Sequence, residues 1–192
     1  MHQDTDQNLR AEADRLLASG LCSVLAGYGE VHVIGSYALR LMAWRDLDIH
    51  VVPPRLDKRG FFDLGAGIAT LLKPHRMHFR DETEVATPGL PRGFYWGVYL
   101  TDEPYGAWKI DVWAEEAAGF AATRAYGERI AAKLSEANRA AILRIKSAVW
   151  PDPEYRRGFS SSDIYTAVLD RGVTDVEGFR AFLKARGADP TG

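Results

Sequence analysis

Apolar residues recur along this chain at two periods, and the changes from one to the other divide it into elements. Leu9, Ala13, Leu16, Leu17, Leu21, Val24 and Leu25 fall at helical spacing and predict an amphipathic helix ending near Gly27 or Gly29. The polar residues 1–7 before it are expected to fray. Residues 31–34 form a short apolar strand that stops at Gly35-Ser36. Good helix formers follow over residues 37–43, and residues 46–52 (DLDIHVV) then alternate with period two until Pro53-Pro54. Phe61, Leu64, Ile68, Leu71 and Leu72 mark a second amphipathic helix, closed by Pro74. Three further strands are expected at residues 75–81, 94–101 and 108–114, the last after a turn containing Pro104 and Gly106. Beyond residue 115 no strand pattern remains. Ile130, Leu134, Ala137, Ala141, Ile145, Ala148 and Val149 predict one long helix stopped by Pro151 and Pro153. Capping signals then open two short helices: Ser160 to Asp163 for residues 164–171, and a Thr174-x-x-Glu177 box for residues 176–186. These elements predict an α+β fold class, a sheet flanked by helices over residues 1–123 and a helical module over 124–192, whose two short tail helices are too small to bury themselves alone.

Chemistry concentrates in residues 31–52. Gly35-Ser36 suits a sharp turn that lets backbone N–H groups approach a ligand. A helix opening at Tyr37 directs its first N–H groups and its positive end at the same place, which favours an anion such as phosphate. Alternation puts Asp46, Asp48 and His50 on one face of the following strand. Carboxylates two residues apart on a strand lie about 7 Å apart at Cα. That is close enough to hold one divalent cation, or a closely spaced pair, that relieves their repulsion, and Mg²⁺ prefers such oxygen ligands. A phosphate cradle beside two metal-binding acids is equipment for phosphoryl or nucleotidyl transfer.

Gly35-Ser36, nine intervening residues and Asp46-x-Asp48 on an apolar strand resemble the signature of the nucleotidyltransferase superfamily related to DNA polymerase beta. The small antibiotic-modifying enzymes and the minimal bacterial members are nearest in size. The resemblance spans roughly residues 31–114. It implies a third carboxylate on a later strand, for which Asp111 is the candidate, with Glu115 and Glu116 as alternatives. It implies two Mg²⁺ ions, or Mn²⁺, held by Asp46, Asp48 and Asp111, a nucleoside triphosphate such as ATP over Gly35, Ser36, Tyr37 and Arg40, and an acceptor hydroxyl that expels pyrophosphate. Lys109, which shares a face with Asp111, and Lys146 on the long helix are further nucleotide-binding candidates; a counter-ion for Asp111 and a solvated face are their structural alternatives. Relatives with a short Gly-Ser motif often carry Arg four positions after the Gly, where this chain has Leu39, with Arg40 one place later. That departure weakens the resemblance to the minimal antitoxin-like branch and leaves the small-molecule branch first, with an aminoglycoside- or lincosamide-like acceptor; toxin-like transfer to tRNA or a protein hydroxyl is the second reading. A catalytically silent nucleotide-binding or partner-binding module is the third reading.

Other features narrow these options. A formal net charge of −2 over 192 residues argues against bulk electrostatic binding of nucleic acid without excluding a local basic groove. Residues 75–81 provide a basic face, Arg76, His78 and Arg80, that either reaches a triphosphate or acidic acceptor or lies at a solvated sheet edge. Tyr95, Trp96, Tyr99 and Trp113 could stack on a base or acceptor, or belong to the core. His50 shares the acidic face and is a candidate to orient a carboxylate or contact the nucleotide. The other histidines show no zinc-ligand spacing with the single cysteine, Cys22, which is expected to be a packing residue rather than a nucleophile. With no membrane-length apolar run, cytoplasm is the expected compartment. The oligomeric state is not readable, a homodimer included.

Overall fold

The computed structural model describes residues 2–85, 87–101 and 106–187. It is an α+β protein with a five-stranded mixed sheet. Strands β1 (Glu30–Ile34), β2 (Asp46–Val52), β3 (Arg76–Asp81), β4 (Phe94–Tyr99) and β5 (Lys109–Ala114) lie in the order β1-β2-β5-β4-β3. β2 and β5 are parallel; every other neighbouring pair is antiparallel. Helix α1 (His2–Leu16) continues through a π-helical turn at Leu17–Leu21 into α2 (Cys22–Ala26). The remaining helices are α3 (Gly35–Leu39), α4 (Lys58–Leu72), α5 (Ala117–Lys133), α6 (Glu136–Val149), α7 (Ser161–Arg171) and α8 (Val176–Ala185). The chain divides into two compact units. One comprises Arg10–Arg40 and Arg45–Gly127 and contains the sheet; the other comprises Met1–Leu9, Leu41–Trp44 and Glu128–Gly192.

In the sheet unit, period-two alternation is resolved into two faces. Leu47, Ile49, Val51, Ile110, Val112 and Val98 are buried on one of them. Against this face lies α4, whose Phe61 ring sits 5.6 Å from Phe94 and 6.2 Å from Trp96 while its carbonyl accepts the Trp96 indole N–H at 3.0 Å. Phe61 is fully buried, worth roughly 1.5–3 kcal/mol of apolar burial. Asp57 caps α4 by accepting from the N–H groups of Arg59 and Gly60. The opposite face carries the acids and is partly covered by α5, whose Phe120 stacks on His32 at 4.2 Å.

A charged cluster closes the far end of β3. Asp81 pairs with Lys58 at 2.6 Å and accepts from the Thr83 N–H and hydroxyl, which holds its carboxyl down at about 2 against the usual 3.8. Because the folded-state value is depressed, the Asp81 contribution is complete above pH ~4 and is lost as the pH falls towards 2. Thermal melts of Asp81→Asn should therefore lie slightly below the wild type at neutral pH and converge with it in that acid window. A constant offset across the whole range would contradict this assignment.

The helical unit packs α6, α7 and α8 on one another through Ile142, Ile145, Val149, Ile164, Val168, Phe179 and Leu183, all buried. Lys133 pairs with Asp170 at 2.6 Å, and Arg186 with Asp163. The capping start expected at Ser160 to Asp163 is present and forms a full capping box at α7.

Five expectations are corrected, the first being that Cys22 is exposed on α2 rather than packed. Residues 2–7 belong to α1 rather than fraying, because buried Asp6 accepts the Met42 N–H at 2.7 Å and anchors the polar turns. The helix expected over residues 37–43 is the single turn Gly35–Leu39, since Arg40 takes a left-handed conformation at φ 58 and returns its N–H to Tyr37 at 3.2 Å. The long helix through residues 130–149 is broken at Leu134-Ser135, where the Ser135 hydroxyl caps α6 by accepting the Asn138 N–H at 3.2 Å. At α8 the capping residue is Asp175, accepting from Gly178 at 2.8 Å, rather than Thr174. Of the turn expected before β5, Pro104 lies outside the described residues.

Candidate active site

Parallel pairing of β2 with β5 sets the acids side by side. The register places Asp48 opposite Asp111 and Asp46 opposite Lys109. Neighbouring strands lie about 4.8 Å apart, so Asp48 and Asp111 are separated at Cα by roughly that spacing, less than the separation of Asp46 and Asp48 along their own strand. β1 ends at Ile34, opposite Asp48, so the turn that follows lands directly on this pair. Gly35 has φ +63, and a Cβ built there would overlap Oδ2 of Asp48 while lying 3.0 Å from Cγ. Only a residue without a side chain lets the chain turn back over the Asp48 carboxylate.

Hydrogen bonds tie the acids together. The Lys109 ammonium pairs with Oδ2 of Asp111 and lies 3.4 Å from Oδ1 of Asp46, bridging the two strands. The Tyr95 hydroxyl donates to Oδ1 of Asp111 at 2.6 Å. Burial, and then the Asp111 charge, push the Tyr95 phenol well above its ordinary value, so it stays a donor. Among the described residues, no group of three or more His, Cys, Asp and Glu side chains is assembled as a metal cage. Asp46 and Asp111 are instead turned onto Lys109, a cation already resting on a purely oxygen donor set. The chemistry of that donor set fits a hard divalent ion, provided that the ammonium withdraws.

The remaining sequence candidates are distributed as follows. Ser36 lies in the single turn of α3, and its carbonyl receives the Arg40 N–H. The Tyr37 hydroxyl donates to Asp14 of α1 at 2.5 Å, with the Arg10 guanidinium 5.6 Å from its ring. Arg40 is exposed and ends α3. Lys146 belongs to the helical unit, where it is fully buried, donates to the Leu41 carbonyl at 2.9 Å and lies 4.8 Å from the Trp44 ring. His50 is buried and its Nδ1 pairs with Glu115, which is also buried. Glu115 is thereby engaged with His50, and Glu116 is exposed, leaving Asp111 as the acid in register with Asp48.

Two features escaped the sequence reading. The His50–Glu115 pair was marked only by Glu115 continuing the parity of Lys109, Asp111 and Trp113. Tyr95 enters as a hydrogen-bond donor to Asp111 rather than as a stacking wall, which follows from its place opposite Trp113, two residues along β4 and on the same face as the Gly97–Asp111 pair.

No protein-family model matches the sequence, and no curated protein gives a significant match. Among solved structures the fold is similar to that of a cytoplasmic RNA terminal U-transferase, with a TM-score of 0.55 at 14% identity. The similarity covers 88% of this chain and 53% of the other, so the chain spans about half the length of that enzyme. No helix of the described residues is long and apolar enough to cross a membrane. An α+β chain with this sheet order, carrying its acids on the β2 and β5 pair, has a nucleotidyltransferase-like fold.

Proposed function

We propose that this protein is a metal-dependent nucleotidyltransferase that moves a nucleoside monophosphate from a nucleoside triphosphate to an acceptor hydroxyl. The observation that carries the reading is the close approach of Gly35 to Asp48 with Asp111 in register beside it, on a nucleotidyltransferase-like fold. The triphosphate lies over Gly35 and Ser36, where backbone N–H groups of the turn meet its oxygens. The acceptor oxygen bonds to the α-phosphorus, the bond from that phosphorus to the bridging oxygen breaks, and pyrophosphate leaves. Asp111, oriented by Tyr95, receives the acceptor proton. When bound, Mg²⁺ or Mn²⁺ supplies Lewis acidity and neutralises charge at the α-phosphate. The residues that would hold it are Asp46, Asp48 and Asp111. All three carboxylates are present, which disfavours the silent-module reading.

Lys109 connects the resting and working arrangements. Its ammonium neutralises Asp46 and Asp111; a divalent ion held by those acids would displace it and leave its charge for a phosphate oxygen. Removing that competing cation with Lys109→Met should tighten Mn²⁺ binding measured without nucleotide, on the order of tenfold, because a competing unit charge about 4 Å away is worth about 1 kcal/mol even at the screening of bulk water. Calorimetric titration reads this directly, and an unchanged Mn²⁺ affinity would remove Lys109 from the cation position.

Incubating the protein with Mg²⁺ and each α-labelled nucleoside triphosphate tests the activity. Acceptors are tRNA, short oligonucleotides, total protein, and an aminoglycoside and lincosamide panel. Transfer of label with matching pyrophosphate release supports the reading. Absence of both nucleotide binding and label transfer to every acceptor class would refute it.

A further inference from the structure

The catalytic face does not end at Asp111. The antiparallel register of β5, β4 and β3 extends it in rows: Asp46, Lys109, Tyr99 and Arg76 form one, and Asp48, Asp111, Gly97 and His78 form the next. The Arg76 guanidinium lies 3.9 Å above the Tyr99 ring, and the His78 imidazole stacks on the same ring at 5.7 Å with an interplanar angle of 26°. Gly97 is the floor beneath them. A Cβ there would come within 2.7 Å of the Tyr95 hydroxyl and 2.8 Å of Nδ1 of His78. His78 and Tyr95 thus close over the strand between Asp111 and the sheet edge. By strand spacing, the His78 Cα lies about 10 Å from that of Asp111, within the reach of a terminal nucleotide.

We propose that this β3–β4 platform is the acceptor subsite and takes the 3′ end of a single-stranded polynucleotide, a base stacking on Tyr99 and His78 and a backbone phosphate meeting Arg76. The proposal rests on the nucleotidyl-transfer reading, because it places the terminal hydroxyl at Asp111. Aromatic planes beside a guanidinium are the chemistry that holds unpaired bases and their phosphates. Charge decides between acceptors. Arg80 is occupied by Glu82 at 2.6 Å, whereas among the described residues no carboxylate pairs with Arg76. A guanidinium on this edge strand attracts a phosphodiester and repels a polycationic aminoglycoside. A lincosamide, which has no phosphate, would leave it unused. Burial, and then the neighbouring Arg76 charge, lower the His78 pKa, so at neutral pH the ring is an uncharged stacking partner. The overall charge of −2 fits a local contact rather than a broad electrostatic footprint.

Fluorescence anisotropy of the full chain with 5′-labelled oligoribonucleotides and oligodeoxyribonucleotides, without metal so that no transfer occurs, tests the subsite. Wild type should bind. Arg76→Ala should weaken binding about tenfold and flatten the dependence of log K on log salt by about 0.7, the value for one lost single-strand phosphate contact. Tyr99→Ala should weaken binding by a similar factor, while Tyr99→Phe, which keeps the ring, should restore it. Melting temperatures near that of the wild type keep these losses attributable to contact. Wild-type affinity in both Arg76→Ala and Tyr99→Ala, or label transfer to an aminoglycoside or lincosamide but to neither kind of oligonucleotide, overturns the proposal; the two oligonucleotide arms distinguish RNA from DNA. Calorimetric nucleoside triphosphate binding by the wild type reads the transfer function independently. Its failure while anisotropy persists would refute the transfer reading and leave the platform as a strand-binding surface.

Discussion

Replacing Asp48 by asparagine should lower pyrophosphate release by on the order of 10³-fold or more while leaving the protein folded. The substitution preserves shape and removes one charge from the acid that lies against Gly35 and opposite Asp111. Its structural cost should be small, because asparagine keeps the shape of the side chain and relieves repulsion on a face that carries three carboxylates, two of them bridged by the Lys109 ammonium. Melting curves therefore separate the catalytic role from a structural one. Wild type should gain stability with millimolar Mg²⁺, since a ligand that binds only the folded state raises its melting temperature. Asp48→Asn should melt at or slightly above the metal-free wild type and respond weakly to Mg²⁺. Loss of activity with a collapse in melting temperature would make Asp48 a fold residue, and retained activity would remove it from the site.

Gly35→Ala is expected to be nearly as damaging, by a different route. At φ +63 an L-residue costs about 1–2 kcal/mol, which for a chain of this size lowers the melting temperature by several degrees. The added methyl group also overlaps the Asp48 carboxylate and must push it aside. Displacing a reacting-centre group by about an ångström costs on the order of 10²-fold in turnover, so the rate should fall far more than the strain explains. Gly172→Ala is the matched control. Gly172 has φ +68, ends α7 in the helical unit, and has nothing within 4 Å of a built Cβ. It should show the thermal loss and keep its turnover. Equal turnover losses in the two variants would mean that strain alone, rather than pressure on Asp48, explains the effect.

Much of the sheet was legible because β strands write their faces in alternate residues. DLDIHVV and KIDVWA each separate acids from aliphatics without reference to anything else in the chain. The pairing of one strand with another is not written that way. Asp48 meets Asp111 because β2 and β5 run parallel, and a parallel neighbour depends on a crossover through intervening elements that local periodicity does not encode. Helix ends failed where a side chain or a backbone angle overrode the pattern. Arg40 stops α3 in a left-handed conformation that its residue type does not announce. Ser135 interrupts an apolar repeat that continues in phase across it. Asp6 looked like part of a polar tail because its partner, the Met42 N–H, lies 36 residues away. The Lys109 bridge was half legible, its pairing with Asp111 following from their shared face and its reach to Asp46 only from the strand register.

The central claim is that Asp46, Asp48 and Asp111 jointly hold a divalent ion beside the Gly35-Ser36 turn. Anomalous diffraction from crystals of the wild-type protein grown with Mn²⁺ and a non-hydrolysable nucleoside triphosphate analogue tests it most directly. The account predicts manganese density bound by oxygens of all three aspartates, with Lys109 withdrawn and the phosphates lying over Gly35 and Ser36. Manganese bound to the analogue elsewhere, with Lys109 still bridging Asp46 and Asp111, would contradict it.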